Sequence, residues 1–196
     1  MDFNHVVKKR KSVRDFSKKK VDWRHILEAV ESALEGPYAG NFNHIKFIII
    51  EDFGRIKEIS AMSEQGWIAN ASAIIVVCND ETNLENLYGE RGRIFSRQQA
   101  GAAIQSFLLK LTDIGIGSCW VGAYDDKNLK QKLNIPENIQ IEAVIPVGYE
   151  DKPGKEKKEK RSLESALYWE QWGTRKRPTL FEERREDYHT KGHYEG

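Results

Sequence analysis

The chain has 196 residues, enough for one α/β-type domain with a substantial core. It is 39% hydrophobic and 31% charged, which excludes intrinsic disorder as the default state. A net charge of +1 at pH 7 argues against a generic binder of nucleic acid or anionic membrane, so basic clusters must be judged locally.

"FNHVV" puts Phe3, Val6 and Val7 on one helical face, followed by Lys8 to Lys11 at a helix C-terminus, where cations suit the dipole. Nothing in this start has the apolar stretch of a secretory signal. Asp22 is placed to cap a second helix with the stripe Trp23, Ile26, Leu27, Val30 and Leu34, stopped by Gly36-Pro37. "IKFIII" (45–50) and "AIIVVC" (73–78) read as interior strands, with a helix over about 55–62 between them. The longest helical pattern runs over 91–114; Ala100, Gly101 and Ala103 give it a small-residue face that permits close helix–helix approach. Residues 116–122 are a third strand candidate, 125–133 a short helix and 139–149 a fourth strand. The polar stretch 150–161 reads as a loop and "LESALYWEQWG" (163–173) as a closing helix. The alternation gives an α/β or α+β domain with helices covering a sheet.

The apolar runs are too short to span a bilayer. Cys78 and Cys119 lie in strand-like segments with no CxxC or Cys/His spacing, which predicts buried free thiols and a cytoplasmic location. "GIGSCWVG" invites a dinucleotide-fingerprint reading, but it follows a helix and opens a strand, the reverse of what that motif requires. Gly115 is better read as a helix C′ residue, and Gly122 as a place where a ligand approaches the backbone. The five histidines are scattered, and no metal-binding or triad spacing exists. An enzymatic role would therefore rest on an organic cofactor, with no catalytic side chain named.

The stretch "KKRKSVRDF" (8–16) carries five positive charges. It is either a solvated helix end or an anion site. If the chain extends after the helix, Arg10, Ser12 and Arg14 share one side, and two guanidinium forks flanking a hydroxyl suit a phosphate.

"RKSVRDF" resembles the R-x-S-x-R-x-F opening of the FMN-dependent nitroreductase family. Four further segments are similar to that family in the same order: "EGPYAGNFNHIKFIIIED", "GAAIQSFLLKLTDIGIGSCWVGAY", "IQIEAVIPVGY" and "KRSLESALYWEQWG". The resemblance covers roughly residues 1–173. It implies an α+β fold, a mainly antiparallel sheet covered by helices, in an intertwined homodimer, with residues 174–196 a polar tail free to wrap the partner subunit. It also implies FMN as cofactor, NADH or NADPH as electron donor, and hydride passage through flavin N5 to a small-molecule acceptor such as a nitroaromatic or quinone, in ping-pong order. Reductive dehalogenation or flavin fragmentation on the same fold is the alternative; a non-catalytic flavin- or phosphate-binding protein is the rival from another class.

The same resemblance assigns cofactor-binding residues. Arg10, with Lys11 beside it, and Ser12 match positions holding the FMN phosphate and ribityl chain, and Arg14 the cation at the pyrimidine edge. Arg161, with Lys160, matches a basic residue closing on the phosphate. Val121 and Gly122 match the backbone pair near flavin N5. Pro37, Tyr38, Ala39, Asn41 and Asn43 match a loop reaching the flavin held mainly by the other protomer. Tyr38 replaces a small residue, Asn43 a glutamine, and His44-Ile45 a Pro-Trp pair, which bears on substrate range. Trp67 and the segment 88–95 fall in the family's variable region over the ring.

Overall fold

The computed structural model describes residues 2–152 and 162–177. These fall into two compact units divided after Gly154.

In the first unit, a four-stranded sheet of order β1-β2-β4-β3 is antiparallel throughout, with β1 Ile45–Ile50, β2 Ala73–Asp80, β3 Gly117–Ser118 and β4 Ile139–Gly148. Both faces are covered. Ala73, Ile75 and Val77 point to a core built with α2 (Trp23–Leu34) and α5 (Glu90–Asp113) through Ile26, Ala29, Ala103, Ile104 and Phe107. Ile74, Val76 and Cys78 point the other way, onto Ile56 and Ile59 of α3 (Phe53–Met62) and Leu129 of α6 (Asp126–Leu133). A strand buried on both faces reads as an unbroken apolar run, which is why these segments were legible. The α+β architecture expected from the sequence is the one found. The remaining helices of this unit are α1 (Phe3–Lys9) and α4 (Thr82–Tyr88).

Two irregularities shape β4. Between Val77↔Ala143 and Cys78↔Ile141 the register slips, leaving Glu142 as the extra residue of a bulge and turning Ile141 to the same face as Val144. Pro146 sits in this interior strand without breaking it. Its carbonyl accepts from the Cys119 N–H (3.3 Å), so its missing N–H faces the β3 side, where the pairing is already interrupted. The third strand is accordingly shorter than expected: two paired residues, then a bridge between Val121 and Val144 in the same register. Helix α5 ends as Gly115 predicts. Gly115 has φ 81°, its N–H bonds the Thr112 carbonyl (3.1 Å), and the Ile116 N–H bonds the Leu111 carbonyl (2.8 Å).

Burial is the main influence on the Glu142 carboxyl and pushes it above its ordinary value of 4.5, against the hydrogen bond from Asn79 Nδ2 (3.3 Å). A carboxyl whose folded pKa is raised favours folding when protonated and loses that contribution as pH rises above 4.5. We predict that Glu142→Gln, neutral at every pH, unfolds at the same temperature as wild type near pH 4 and at a higher one at neutral pH. A difference that does not grow with pH would contradict this.

Cys78 and Cys119 are buried and form no disulfide, and burial pushes the Cys78 thiol up to about 11, which disfavours its thiolate at neutral pH. No helix among the described residues is long and apolar enough to cross a membrane.

In the second unit the expected helix over 163–173 is a short 3₁₀ turn, Leu163–Ala166. Glu170 (φ 60°) and Gly173 (φ 92°) adopt left-handed conformations that no α-helix tolerates. The Trp169 N–H bonds the Thr174 carbonyl (2.7 Å), and Arg175 lies over the Tyr168 ring. Local aromatic–cation packing thus takes the place of helical bonding.

Candidate functional site

The basic N-terminal segment leaves its helix and becomes extended, as the sequence predicts. Helix α1 is capped by Asp2 and closes at Lys9; Arg10 is already extended (φ −56°, ψ 122°). Beyond it the chain lies on the sheet. Ser12 bridges Ser118, the Val13 N–H donates to the Ser118 carbonyl (2.9 Å), and the Ser17 N–H donates to the Tyr149 carbonyl (2.8 Å).

Two anchors hold it there. A Cβ on Gly117 would lie 2.9 Å from the Val13 side chain, and one on Gly148 would lie 2.7 Å from the Phe16 ring. Both strand glycines are therefore slots for buried side chains of the segment, and Phe16 continues onto the Trp67 ring at 6.2 Å. Trp67 is half-buried and packs behind this segment.

Val13 and Lys11 line one cavity of about 520 Å³, with Thr112, Ile116 and Tyr149. Lys11 is ion-paired there with Glu150 (2.6 Å). The alternation is not strict: Val13 and Phe16, three residues apart, are both buried, and Arg14 and Asp15 between them are both exposed. Ser12 bridges the start of β3, and Arg10 is half-buried at the end of α1.

Further along that strand, Val121 is buried and exchanges both backbone hydrogen bonds with Val144 (2.9 and 3.0 Å). Gly122 follows at the surface, and a Cβ placed on it would meet nothing within 4 Å. The backbone here is open to close approach, as read from the sequence. Trp120, 42% exposed, flanks it.

The loop after α2 forms a separate cluster. The Tyr38 hydroxyl donates to the Ala33 carbonyl (2.9 Å), and its ring packs on the main core, so the residue expected to bear on substrate range holds the helix end. Burial raises its phenol above the ordinary value of 10.0. Residues Ala39–Asn41 make a tight turn in which Gly40 (φ 59°) and Asn41 (φ 60°) are both left-handed, conformations that glycine and asparagine tolerate best. Asn43 Oδ1 accepts from the Ile45 N–H (3.2 Å), committing that side chain to the start of β1. Pro37 and Asn41 are exposed. The Phe42 ring stacks on His44 at 5.6 Å.

Two contributors had no sequence signal. Gln99 of α5 is 5% exposed and bonds both sides of this turn: the Ala39 N–H donates to its Oε1 and its Nε2 donates to the Phe42 carbonyl, each at 3.2 Å. Helix α4 was also missed; its seven residues bury Leu84 alone. It brings the Tyr88 hydroxyl to within 3.2 Å of where a Gly40 Cβ would stand. Lys160 and Arg161 lie outside the described residues. Among the described residues, no group of three or more His, Cys, Asp or Glu is placed to hold a metal ion.

Comparison with known proteins agrees with the fold. The model of the Nitroreductase family matches residues 53–149. A protein of Archaeoglobus fulgidus, provisionally named an NADH dehydrogenase/NAD(P)H nitroreductase, is 34% identical over 145 residues, which are 71% of this chain and 80% of that protein. The iodotyrosine deiodinase of Thermotoga neapolitana is 27% identical over 164 residues, covering 76% and 88% of the two chains. Among solved structures, a nitroreductase family protein from Clostridium novyi NT superposes with a TM-score of 0.71 at 27% identity, covering 89% of this chain and 96% of that one. The chain belongs to the nitroreductase family.

Proposed function

We propose that this protein binds FMN and oxidises NADH or NADPH, passing the electrons to an electron-poor small molecule such as a nitroaromatic or quinone. Family membership makes it an NAD(P)H-dependent oxidoreductase. The observation that carries the FMN assignment is the anchored segment 10–16. Val13 and Phe16 fill the two glycine slots, so the stretch that carries Arg10, Ser12 and Arg14 is fixed on the sheet, with Ser12 beside β3 and Arg14 exposed.

The residues present fit such a cofactor. Two guanidinium forks and a hydroxyl suit a phosphate ester and its polyol chain, because a doubly charged anion gains most from fixed bidentate donors. The Gly122 N–H has no hydrogen-bond partner among the described residues, and the space over it is open, so it can donate to a ring nitrogen laid against the backbone. Bound FMN would supply the hydride-accepting centre that none of these side chains provides. The chain's own part is to hold the phosphate, aim the ring's edge at a cation and keep one main-chain donor free.

The working unit in this reading is a homodimer with two flavin sites. Exposed apolar residues support it: Phe3 (69%) and Val7 on α1, and Trp23 (52%), Leu27 and Leu34 on α2, are a poor surface for an isolated monomer. The deiodinase relative, at lower identity, favours reductive dehalogenation as a second reading, and an acceptor screen with nitroaromatics, quinones and halophenols separates the two.

Arg14→Met tests the orientation of the ring. A cation at the pyrimidine edge stabilises the reduced flavin, which is anionic there, over the neutral oxidised ring. Losing a charge-assisted hydrogen bond of about 1.5–3 kcal/mol lowers a two-electron potential by roughly 30–65 mV. We predict a yellow variant with a more negative potential and slower reduction by NAD(P)H. An unchanged potential in a variant that still binds FMN would remove Arg14 from that edge.

A further inference from the structure

We propose that Gln99 is a positioning residue for the cofactor: it fixes the turn Ala39–Phe42 in the one conformation that presents Asn41 to the flavin. The inference rests on the FMN reading above and on the sequence resemblance that assigns Asn41 to the cofactor, and adds to them a residue on another element.

The turn has only two internal backbone bonds, Asn41 N–H to the Tyr38 carbonyl and Phe42 N–H to the Ala39 carbonyl, both 3.1 Å. Its two central residues are left-handed; Gly40 takes that conformation freely, while Asn41 carries some strain that a held turn offsets. The side chain of Gln99 closes the gap. Its amide offers an acceptor and a donor at one end, and the turn presents an N–H at Ala39 and a carbonyl at Phe42. Both bonds are made from a buried position, where each would leave an unpaired polar group if broken. One amide therefore reads both strands of the turn at once.

The neighbours of Gln99 cannot substitute for it. Ser96, one turn earlier on α5, is engaged with Asn79 (2.6 Å), and Arg97 with Glu81 (3.1 Å). Ala100 and Ala103 beside it carry no polar group. Phe42 is further held by its stack on His44, so the exit of the turn is fixed while its tip, Gly40-Asn41, depends on the amide. A free turn would sample right-handed conformations at Asn41 and swing that side chain away.

Gln99→Met keeps the length and much of the volume while removing both bonds. Gln99→Asn stays polar but is one methylene too short to span both groups, and serves if the first variant folds poorly. Two quantities are read in the full-length protein: hydrogen exchange of the Ala39 N–H without FMN, and the FMN dissociation constant by flavin fluorescence. The expected results are lost protection at Ala39 and affinity weakened roughly tenfold, the equivalent of one to two net hydrogen bonds. Asn41→Asp, which tolerates the left-handed turn but removes the amide donor, should also weaken binding. Added to it, Gln99→Met should then cost little more, because both changes remove the same contact. Fully additive penalties would show that Gln99 acts on stability alone and overturn the proposal. So would wild-type affinity in Gln99→Met beside a weakened Asn41→Asp. An Asn41→Asp variant that binds FMN as wild type does overturns both this inference and the assignment of the turn to the cofactor, whereas the Arg10 and Arg14 variants test the phosphate and ring-edge assignments separately.

Discussion

Gly92→Ala should be the most destabilising conservative substitution in the chain. Gly92 lies in the first turn of α5 and faces α4, which joins it through Gly89 alone. A Cβ at position 92 would overlap the Leu84 carbonyl oxygen and carbon and stand 2.6 Å from the Glu85 nitrogen. All three are backbone atoms of α4, so no rotamer change relieves the overlap; α4 as a whole must move. Leu84 is fully buried, and moving it opens the core beneath. Overpacking against flexible neighbours costs about 1–3 kcal/mol, and a rigid backbone neighbour puts this case at the upper end or beyond. For a domain of this size about 3 kcal/mol lowers the unfolding midpoint by roughly 6–12 °C. Gly66→Ala is the control, since a Cβ there meets nothing within 4 Å, and it should leave the midpoint within about 2 °C. If Gly92→Ala unfolds together with that control, the α4–α5 contact is not as close as described. The same displacement would reach the functional site, because α4 carries Tyr88 against Gly40 and α5 carries Gln99 against the same turn.

What the sequence disclosed divides along a physical line. Features fixed by residues near one another in the chain were legible. The unbroken apolar runs gave β1, β2 and β4 because both sheet faces are covered. Gly115 marked the end of α5 because a left-handed C′ residue is a local requirement. Features set by distant pairs were not. That Val13 and Phe16 need glycine at 117 and 148 is a contact between segments a hundred or more residues apart. Lys11 joins Glu150, and Gln99 joins Ala39 and Phe42, for reasons no local pattern carries. The length of β3 depends on Pro146 standing opposite Cys119 in the register. The expected helix over 163–173 gave way for a related reason: Tyr168, Trp169 and Trp172 pack on one another or on arginines, while Leu163 and Leu167 stay exposed, so no apolar stripe is buried. The flavin assignment itself came from ordered motif resemblance, and the structure adds the mechanical reason why the first motif contains Val13 and Phe16 as well as its polar residues.

Arg10→Ala should cost more cofactor affinity than any other single change at the site. Arg10 is the first residue past α1, half-buried, with its backbone N–H bonded to the Val6 carbonyl (2.9 Å). Its main chain is therefore fixed by the helix end and its side chain emerges from a rigid base. No carboxylate partner is set against its guanidinium among the described residues, in contrast with Lys11 and Glu150 one residue on. A phosphate monoester carries nearly two negative charges at neutral pH, so a preorganised fork gives a charge-assisted contact of about 1.5–3 kcal/mol, or roughly 10- to 150-fold in dissociation constant. The fold should survive, since Val13 and Phe16, not Arg10, hold the segment to the sheet. We expect a folded variant that loses its yellow colour on dilution and gel filtration, and regains it only at FMN concentrations raised by that factor. Riboflavin, which lacks the phosphate, should bind wild type and variant alike, and that comparison isolates the contact. If Arg10→Ala retains stoichiometric FMN through gel filtration, or weakens riboflavin and FMN equally, Arg10 does not hold the phosphate. The pair Arg10 and Ser12 would then be a solvated helix end, the plainer of the two readings that "KKRKSVRDF" admits.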